Sequence, residues 1–306
     1  MGKMIITGVD GNFGRVAAET ILKLVPAHEL IFTSPVSEAL EIYKELGVDS
    51  RVADFNSVDS LTAAFTGGER LLLISMPIIG EKRVQLHKNA IDAAKKAGVT
   101  HIVYTSIVGA GDATNDALVS EDHNATEEYI KAAGFSYKFA RNSQYAEAIT
   151  EFSLPNAFST GQWTTNQAEG KMAYVSRRDC AAAAAALVSG KGADDSVFYI
   201  TGPELLTLRE ITTIGEKVVG KPIEVIDLND EETFAMFDSI GVPRTTDNGM
   251  AGSPIPWCSD DMVSFGRAVR EGKMAAFTDD FENLVGKKPM TLRVLTEEAA
   301  AKGLYN

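Results

Sequence analysis

Near its amino end the chain runs Met4-Ile5-Ile6-Thr7-Gly8-Val9-Asp10-Gly11-Asn12-Phe13-Gly14, a short apolar stretch that passes straight into glycines spaced G-x-x-G-x-x-G. Phe13, Val16, Ala17, Thr20, Ile21 and Leu24 follow at helical spacing. A strand, a glycine turn and a helix N-terminus in that order form an anion site, because backbone N–H groups and the positive end of the helix dipole converge there. Glycine suits the turn because a Cβ would block both the bend and the close approach of a phosphate. The motif alone also fits a plain tight connection between a strand and a helix. Its place at the head of an alternating β/α chain favours the phosphate reading.

That alternation continues. Apolar strands are expected at Lys3–Thr7, Leu30–Thr33, Ser50–Ala53, Leu71–Ile74, His101–Thr105 and Tyr137–Ala140. Between them lie helices carrying Leu40 and Tyr43, Val58 to Phe65, Lys82 to Ala97, and a segment from near Asp122 to Gly134. The expected fold is therefore α/β, a Rossmann-type doubly wound parallel sheet. Ligands of such sheets bind outside the carboxyl ends of the strands. After residue 150 the rhythm breaks into a loop-rich stretch with Pro155, Gly161, Trp163 and Gly170. A run of alanines from Ala181 then calls for a helix lying close against the sheet, and Val197–Thr201 can return one more strand. From Leu205 onward the pattern is mostly helical, as for a smaller C-terminal lobe closing over the site. Residues 1–150, with 171–202, are expected to form the dinucleotide-binding domain, and 151–170 with 203–306 the substrate lobe.

Composition removes several function classes. The chain of 306 residues carries 29 Lys and Arg against 42 Asp and Glu, a net charge of −13, with no basic run. Nucleic acid is not an expected partner, because binding it depends on clustered cations. Cys180 and Cys258 form no C-x-x-C, which fits a reduced, cytoplasmic protein. The apolar run from Ala181 to Val188 is far too short to cross a bilayer, so no membrane is expected either. His28, His87, His101 and His123 have no metal-ligand spacing, and no metal is expected. Gly215 to Lys221 imitates a phosphate loop, but Pro222 stands where a hydroxyl is needed and the segment ends a helix.

Taken in order, further segments resemble the NmrA-like family of atypical short-chain dehydrogenases, especially its bacterial NAD(P)H quinone reductases and triphenylmethane reductases. The matching residues are Thr7-Gly8-x-x-Gly11-x-x-Gly14, Ala53-Asp54-Phe55, Leu71 to Ser75, Ala97-Gly98-Val99, Tyr104-Thr105-Ser106, His123 with Thr126-Glu127, Arg141-Asn142 with Tyr145, and Arg178-Asp179. The resemblance covers about residues 1–220 and thins beyond. It implies an adenine contact at Asp54 and Phe55, with Ser75, Met76 and Pro77 bordering the ribose and nicotinamide, and Asn142 and Tyr145 flanking the nicotinamide and the acceptor. The glycine motif itself places a diphosphate on Gly8, Gly11, Asn12, Phe13 and Gly14, and Thr33, Ser34, Thr105 and Ser106 are cofactor candidates as carboxyl ends of strands. Local readings compete: Asp54 could cap the next helix, Pro77 could only end a strand, and Tyr145 could be an ordinary core aromatic.

The cofactor is expected to be NADH or NADPH. An acidic residue after the second strand favours NAD, and a basic one favours NADP. NADP-using members of the family carry an Arg there, whereas this chain has Thr33-Ser34-Pro35-Val36. The reading leans to NADH or dual use. No Tyr-x-x-x-Lys occurs anywhere. Its expected place holds His123 and Glu127, four residues apart on one helical face: an acid with its orienting carboxylate, or a surface pair. His123 and Tyr145 are the candidate catalytic residues. Direct hydride transfer to a quinone-like or other conjugated small molecule is the expected reaction. The alternatives are a redox sensor without turnover and a specialised ketone or alkene reductase. The expected partner is the small-molecule acceptor, with a second copy in a homodimer as the oligomeric option.

Overall fold

Leu71, Leu72 and Leu73 are fully buried, yet they belong to two different cores. Leu72 packs with Ile6, Phe32 and Val103 on one side of the sheet, and Leu71 and Leu73 with Ile5, Ile102 and Tyr104 on the other. Alternation with a period of two puts consecutive side chains on opposite faces, so a strand apolar at every position needs cover on both. The computed structural model, which describes residues 2–247 and 249–306, supplies that cover with helices.

In chain order the first half is β1 (Lys3–Ile6), α1 (Asn12–Ile21), β2 (Leu30–Ser34), α2 (Glu41–Glu45), β3 (Asp49–Val52), α3 (Val58–Phe65), β4 (Gly68–Leu73), α4 (Glu81–Lys96), β5 (His101–Ile107), α5 (Leu118–Ala132) and β6 (Ser136–Asn142). There follow α6 (Ala146–Ala148), α7 (Leu154–Thr160), β7 (Gln162–Thr165), β8 (Lys171–Met172), α8 (Arg177–Val188) and β9 (Ser196–Ile200). The last third holds β10 (Leu206–Thr207), α9 (Leu208–Val219), β11 (Glu224–Asp227), α10 (Asp230–Ser239), α11 (Ser259–Arg270), α12 (Asp280–Val285) and α13 (Leu292–Ala301).

The main sheet has the order β3-β2-β1-β4-β5-β6-β9 with every pair parallel. This is the doubly wound sheet expected from the β/α rhythm. Its winding reverses between β1 and β4, and the crevice at their carboxyl ends is where such sheets take ligands. On one face Cys180, Ala181, Ala183, Ala184 and Ala185 are completely buried, and these small side chains let α8 lie against α1 and the strands. On the other face α3, α4 and α5 pack side by side.

Two features differ from the sequence pattern. Helix α5 opens at Leu118, a turn before Asp122. Its early amides are satisfied by Asn115 Oδ1, which accepts from Ala117 N at 3.2 Å, and by Ser264 Oγ, which accepts from Leu118 N at 3.3 Å. Ser264 is a partner supplied by the tertiary fold, so the local sequence carries no sign of it. The C-terminal region, though mostly helical, takes part in two small strand pairs, β7 with β11 in parallel and β8 with β10 antiparallel. A third core joins Met172 and Tyr174 to Leu154, Ile211 and Leu292, so the segment 171–174, expected with the dinucleotide-binding domain, packs with the C-terminal elements instead. No helix among the described residues is long and apolar enough to cross a membrane.

Candidate active site

The site is built where β1 meets α1. Gly8 has a φ of +61°, a left-handed conformation that a side chain would strain. Gly11 N donates to Gly8 O at 3.0 Å, closing the turn. A Cβ on Gly14 would lie 2.0 Å from Gly8 O, so the helix can approach the turn this closely only because position 14 is glycine. Gly11 caps α1 without a side-chain bond, and the first intrahelical donor is Arg15 N, to Gly11 O at 2.9 Å. The amides of Asn12, Phe13 and Gly14 are thus the open donors that any helix start leaves over.

Around this turn the strand ends are pinned by short side chains. Thr7 Oγ1 donates to Leu72 O at 3.1 Å and accepts from Ile74 N at 2.9 Å. Val9 N donates to Thr33 O at 3.1 Å, which ties the glycine turn to the end of β2. Ser34 Oγ accepts from Val36 N at 2.9 Å. Thr105 Oγ1 accepts from Ser75 N at 2.8 Å. Phe13 and Tyr145 bring their ring centroids to 6.1 Å, and Asn142 Nδ2 lies 3.4 Å from the Tyr145 hydroxyl. The structure therefore gathers Gly8, Gly11, Asn12, Phe13, Gly14, Thr33, Ser34, Ser75, Thr105, Asn142 and Tyr145 along one edge. Met76 and the exposed Pro77 continue the loop from Ser75.

Asp54 and Phe55 stand farther out, at the end of β3. Ser57, not Asp54, caps α3, accepting from Ser60 N at 3.2 Å. Asp54 is exposed and closes its own small turn, with Oδ1 accepting from Asn56 N and Nδ2 at 2.9 Å each. These donors hold its carboxyl below the usual range. Phe55 O accepts from Asn89 Nδ2 at 2.9 Å, so the backbone beside it is fixed.

His123 and Glu127 share a face of α5 but not a hydrogen bond, and neither is on the surface. Both oxygens of Glu127 are engaged by Arg141, whose Nε lies 2.9 Å from Oε1 and Nη2 2.6 Å from Oε2; Ser106 Oγ also donates to Oε1 at 2.5 Å. So Ser106 turns toward α5. His123 Nδ1 meets the Tyr104 hydroxyl at 2.8 Å instead. Neither the oriented acid nor the surface pair forms, because α5 packs this face onto β5 and β6. Burial holds the His123 imidazole neutral, well below its ordinary pKa, and lifts the Tyr145 phenol above its ordinary range.

His87, weighed from the sequence only as a metal ligand, anchors the loop that follows β4. Met76 N donates to its Nε2 at 3.0 Å, which puts the ring proton on Nδ1, 3.0 Å from Thr126 Oγ1. Burial pushes the pKa of His87 down to about 3, so the imidazole stays neutral and keeps this acceptor. Gly80 N is held likewise by Asp122 Oδ2 at 2.7 Å. Thr7, Thr105, His87 and Asp122 together capture four amides of the loop 74–80 from below and fix the height of Ser75 and Met76 at the crevice. Only the spacing of His87 among Leu86, Ala90, Ile91 and Ala94 on the inner face of α4 could have hinted at this. A His87→Leu variant is expected to lose about 1–3 kcal/mol in urea unfolding, as a buried amide is left without an acceptor. His87→Gln should lose less, since its carboxamide oxygen can accept. Equal losses in both would assign the effect to packing alone.

Residues 2–253 match the model of the NmrA-like family. The chain belongs to that family. Among relatives of this NmrA-like protein, quinone oxidoreductase 2 of Escherichia coli K12 is 32% identical over 250 residues, covering 82% of this chain and 86% of its own. An NAD(P)H azoreductase of Xenophilus azovorans is 24% identical, over 79% and 84% of the two chains. The structure of the Escherichia coli NADPH-dependent quinone oxidoreductase with NADPH superposes with a TM-score of 0.86 at 28% identity, covering 98% and 99% of the two chains. The Citrobacter triphenylmethane reductase with NADP(H) gives 0.83 at 27% identity, over 97% and 100%.

Proposed function

We propose that this NmrA-like protein is an NAD(P)H-dependent reductase of a quinone-like or otherwise conjugated small-molecule acceptor. The observation that carries the reading is a glycine cradle with open amides, beside which His123, Tyr145 and Glu127 are each held out of a general acid's role. The residues present fit a dinucleotide. The close Gly8–Gly14 approach leaves room for a diphosphate, and buried oxygens without a hydrogen-bond partner among the described residues sit in the glycine turn, at Asp10 Oδ1, and at the ends of β2 and β6, at Thr33 Oγ1 and Asn142 Oδ1.

When bound, the reduced nicotinamide supplies a hydride. The amides of Asn12, Phe13 and Gly14 would hold the diphosphate, with Thr33, Ser34, Asp54 and Phe55 bordering the adenosine half. Ser75, Met76, Pro77, Thr105, Asn142 and Tyr145 would border the nicotinamide half, whereas Ser106, turned toward Glu127, would not. Residues 151–170 and 203–306 would shape the acceptor pocket. The proton is the discriminating step. His123 is held neutral, the Tyr145 phenol is a weaker acid than usual, and Glu127 is committed to Arg141. An alcohol–ketone pair needs a tuned acid and forfeits a factor of about 10²–10⁴ without one. A quinone or cationic dye takes the hydride first and draws its proton from water. The quinone and azo acceptors in the relatives' names belong to this class.

Steady oxidation of NADH and NADPH with a panel of quinones and cationic dyes tests the reading. Turnover is expected; tight dinucleotide binding with no turnover on any acceptor would make the chain a redox sensor. Tyr145→Phe and His123→Gln are each expected to keep kcat well above the loss of about 10²–10⁴ that removing a general acid brings. A fall of that size in either variant overturns water as the proton source.

A further inference from the structure

We infer that Asp10 makes this chain select NADH over NADPH, by setting a carboxylate where the adenosine ribose carries its 2′-substituent. The inference rests on the dinucleotide reading above.

Asp10 is the third residue of the turn Gly8-Val9-Asp10-Gly11. The bond from Val9 N to Thr33 O, at 3.1 Å, lays that turn against the end of β2. From the other side the Tyr43 hydroxyl lies 3.5 Å from Val9 O. Asp10 therefore occupies the notch between the glycine turn and β2, the place where a doubly wound sheet seats the adenosine ribose. Its Oδ1 is buried and has no hydrogen-bond partner among the described residues, and Thr33 Oγ1, on the residue whose carbonyl holds Val9, is in the same state. A buried carboxylate oxygen without a donor is costly, and a ribose hydroxyl supplies the donor it lacks. A 2′-phosphate brings only acceptors and more negative charge.

The base that bears on this notch is Arg15, opposed there by Glu19 and by Asp10 itself. The end of β2 reads Thr33-Ser34-Pro35-Val36, without a basic side chain, and Ser34 Oγ is taken up by Val36 N. Lys44 is paired with Glu41 at 2.8 Å. Arg51 on β3 is bound to Asp49 at 2.7 Å and to Ala64 O at 2.9 Å. The charges that bear on the Tyr43 hydroxyl are Glu19, Arg15 and Asp10, two acids against one base. The chain thus departs from the NADPH and NADP(H) complexes with which it superposes. Specificity of this kind is a difference of two affinities, in which the unpaired repulsion against one ligand counts as much as the bond to the other.

Equilibrium titration of the full chain with NADH and with NADPH, followed by calorimetry, tests this without any acceptor present. The wild type is expected to bind NADH about 10- to 150-fold more tightly, the range spanned by one charge-assisted hydrogen bond. Asp10→Asn and Asp10→Thr should lose most of that ratio, mainly by gaining affinity for NADPH. Wild-type protein that binds NADPH as tightly as NADH overturns the role of Asp10 and leaves the dinucleotide reading intact. So does a ratio that survives in both variants. Binding of neither dinucleotide by the wild type overturns both.

Discussion

A Gly14→Ala variant is expected to bind NADH and NADPH about 100-fold or more weakly than the wild type, the largest single-atom effect the site allows. The new Cβ would stand 2.0 Å from Gly8 O and 2.6 Å from Gly8 C, and both atoms are backbone with no rotamer to yield. Either α1 moves away from the end of β1 or the turn opens. Both displace the amides of Asn12 to Gly14 from the positions that a diphosphate needs, and misplacement by about 1 Å is enough for losses near 10²-fold. Overpacking of this kind also costs about 1–3 kcal/mol of stability, which a melting curve would register. Gly11 provides the control. A Cβ there would meet Gly8 O at 3.4 Å, ordinary contact, so Gly11→Ala should melt close to the wild type. Its own loss of affinity would then report how near the phosphates come. Unchanged titration curves for Gly14→Ala would remove the cradle from the proposed function.

The contrast between these two glycines shows what kind of information the sequence carried. The cradle was legible because its parts are contiguous: an apolar strand, glycines at fixed spacing and a helix with one apolar face all fall between Lys3 and Ile21. The doubly wound sheet was legible for a similar reason, since Leu71 to Leu73 in β4 and Ile102 to Tyr104 in β5 are apolar at consecutive positions and lie between amphipathic helices. Partners far apart in the chain were not. Met76 finds His87 where the loop folds back on α4, and Gly80 finds Asp122 on the next helix, a pairing that the packing of α4 against α5 creates. His123 and Glu127 were legible as two residues on one helical face but not as members of separate networks. Helical spacing says which residues point the same way and not what they will meet. The two strand pairs of the C-terminal lobe escaped for another reason. Strands of two to four residues carry too few positions for a period of two to stand out.

Glu127 offers the second large effect, in stability. Its carboxylate is completely buried between α5 and β6, and three donors from Arg141 and Ser106 meet it there. Arg141 extends the network to the Tyr199 hydroxyl on β9 at 3.0 Å, so one ion pair ties a helix to two neighbouring strands. Removing one partner leaves a buried charge uncompensated, and Glu127→Ala should lose about 3–5 kcal/mol in urea unfolding. Removing both charges is a different matter, because the pair has already surrendered its hydration in order to form. A Glu127→Leu, Arg141→Met double variant is therefore expected to recover most of that loss. If the double variant is no more stable than Glu127→Ala, the pair itself holds β6 in place and the charge-burial account fails. The recovered protein also separates stability from chemistry. It has no carboxylate beside Ser106, yet it keeps the glycine turn and the loop held by His87. Retained dinucleotide affinity and turnover in that background would make Glu127 a brace for the sheet and leave the reaction to the crevice between β1 and β4.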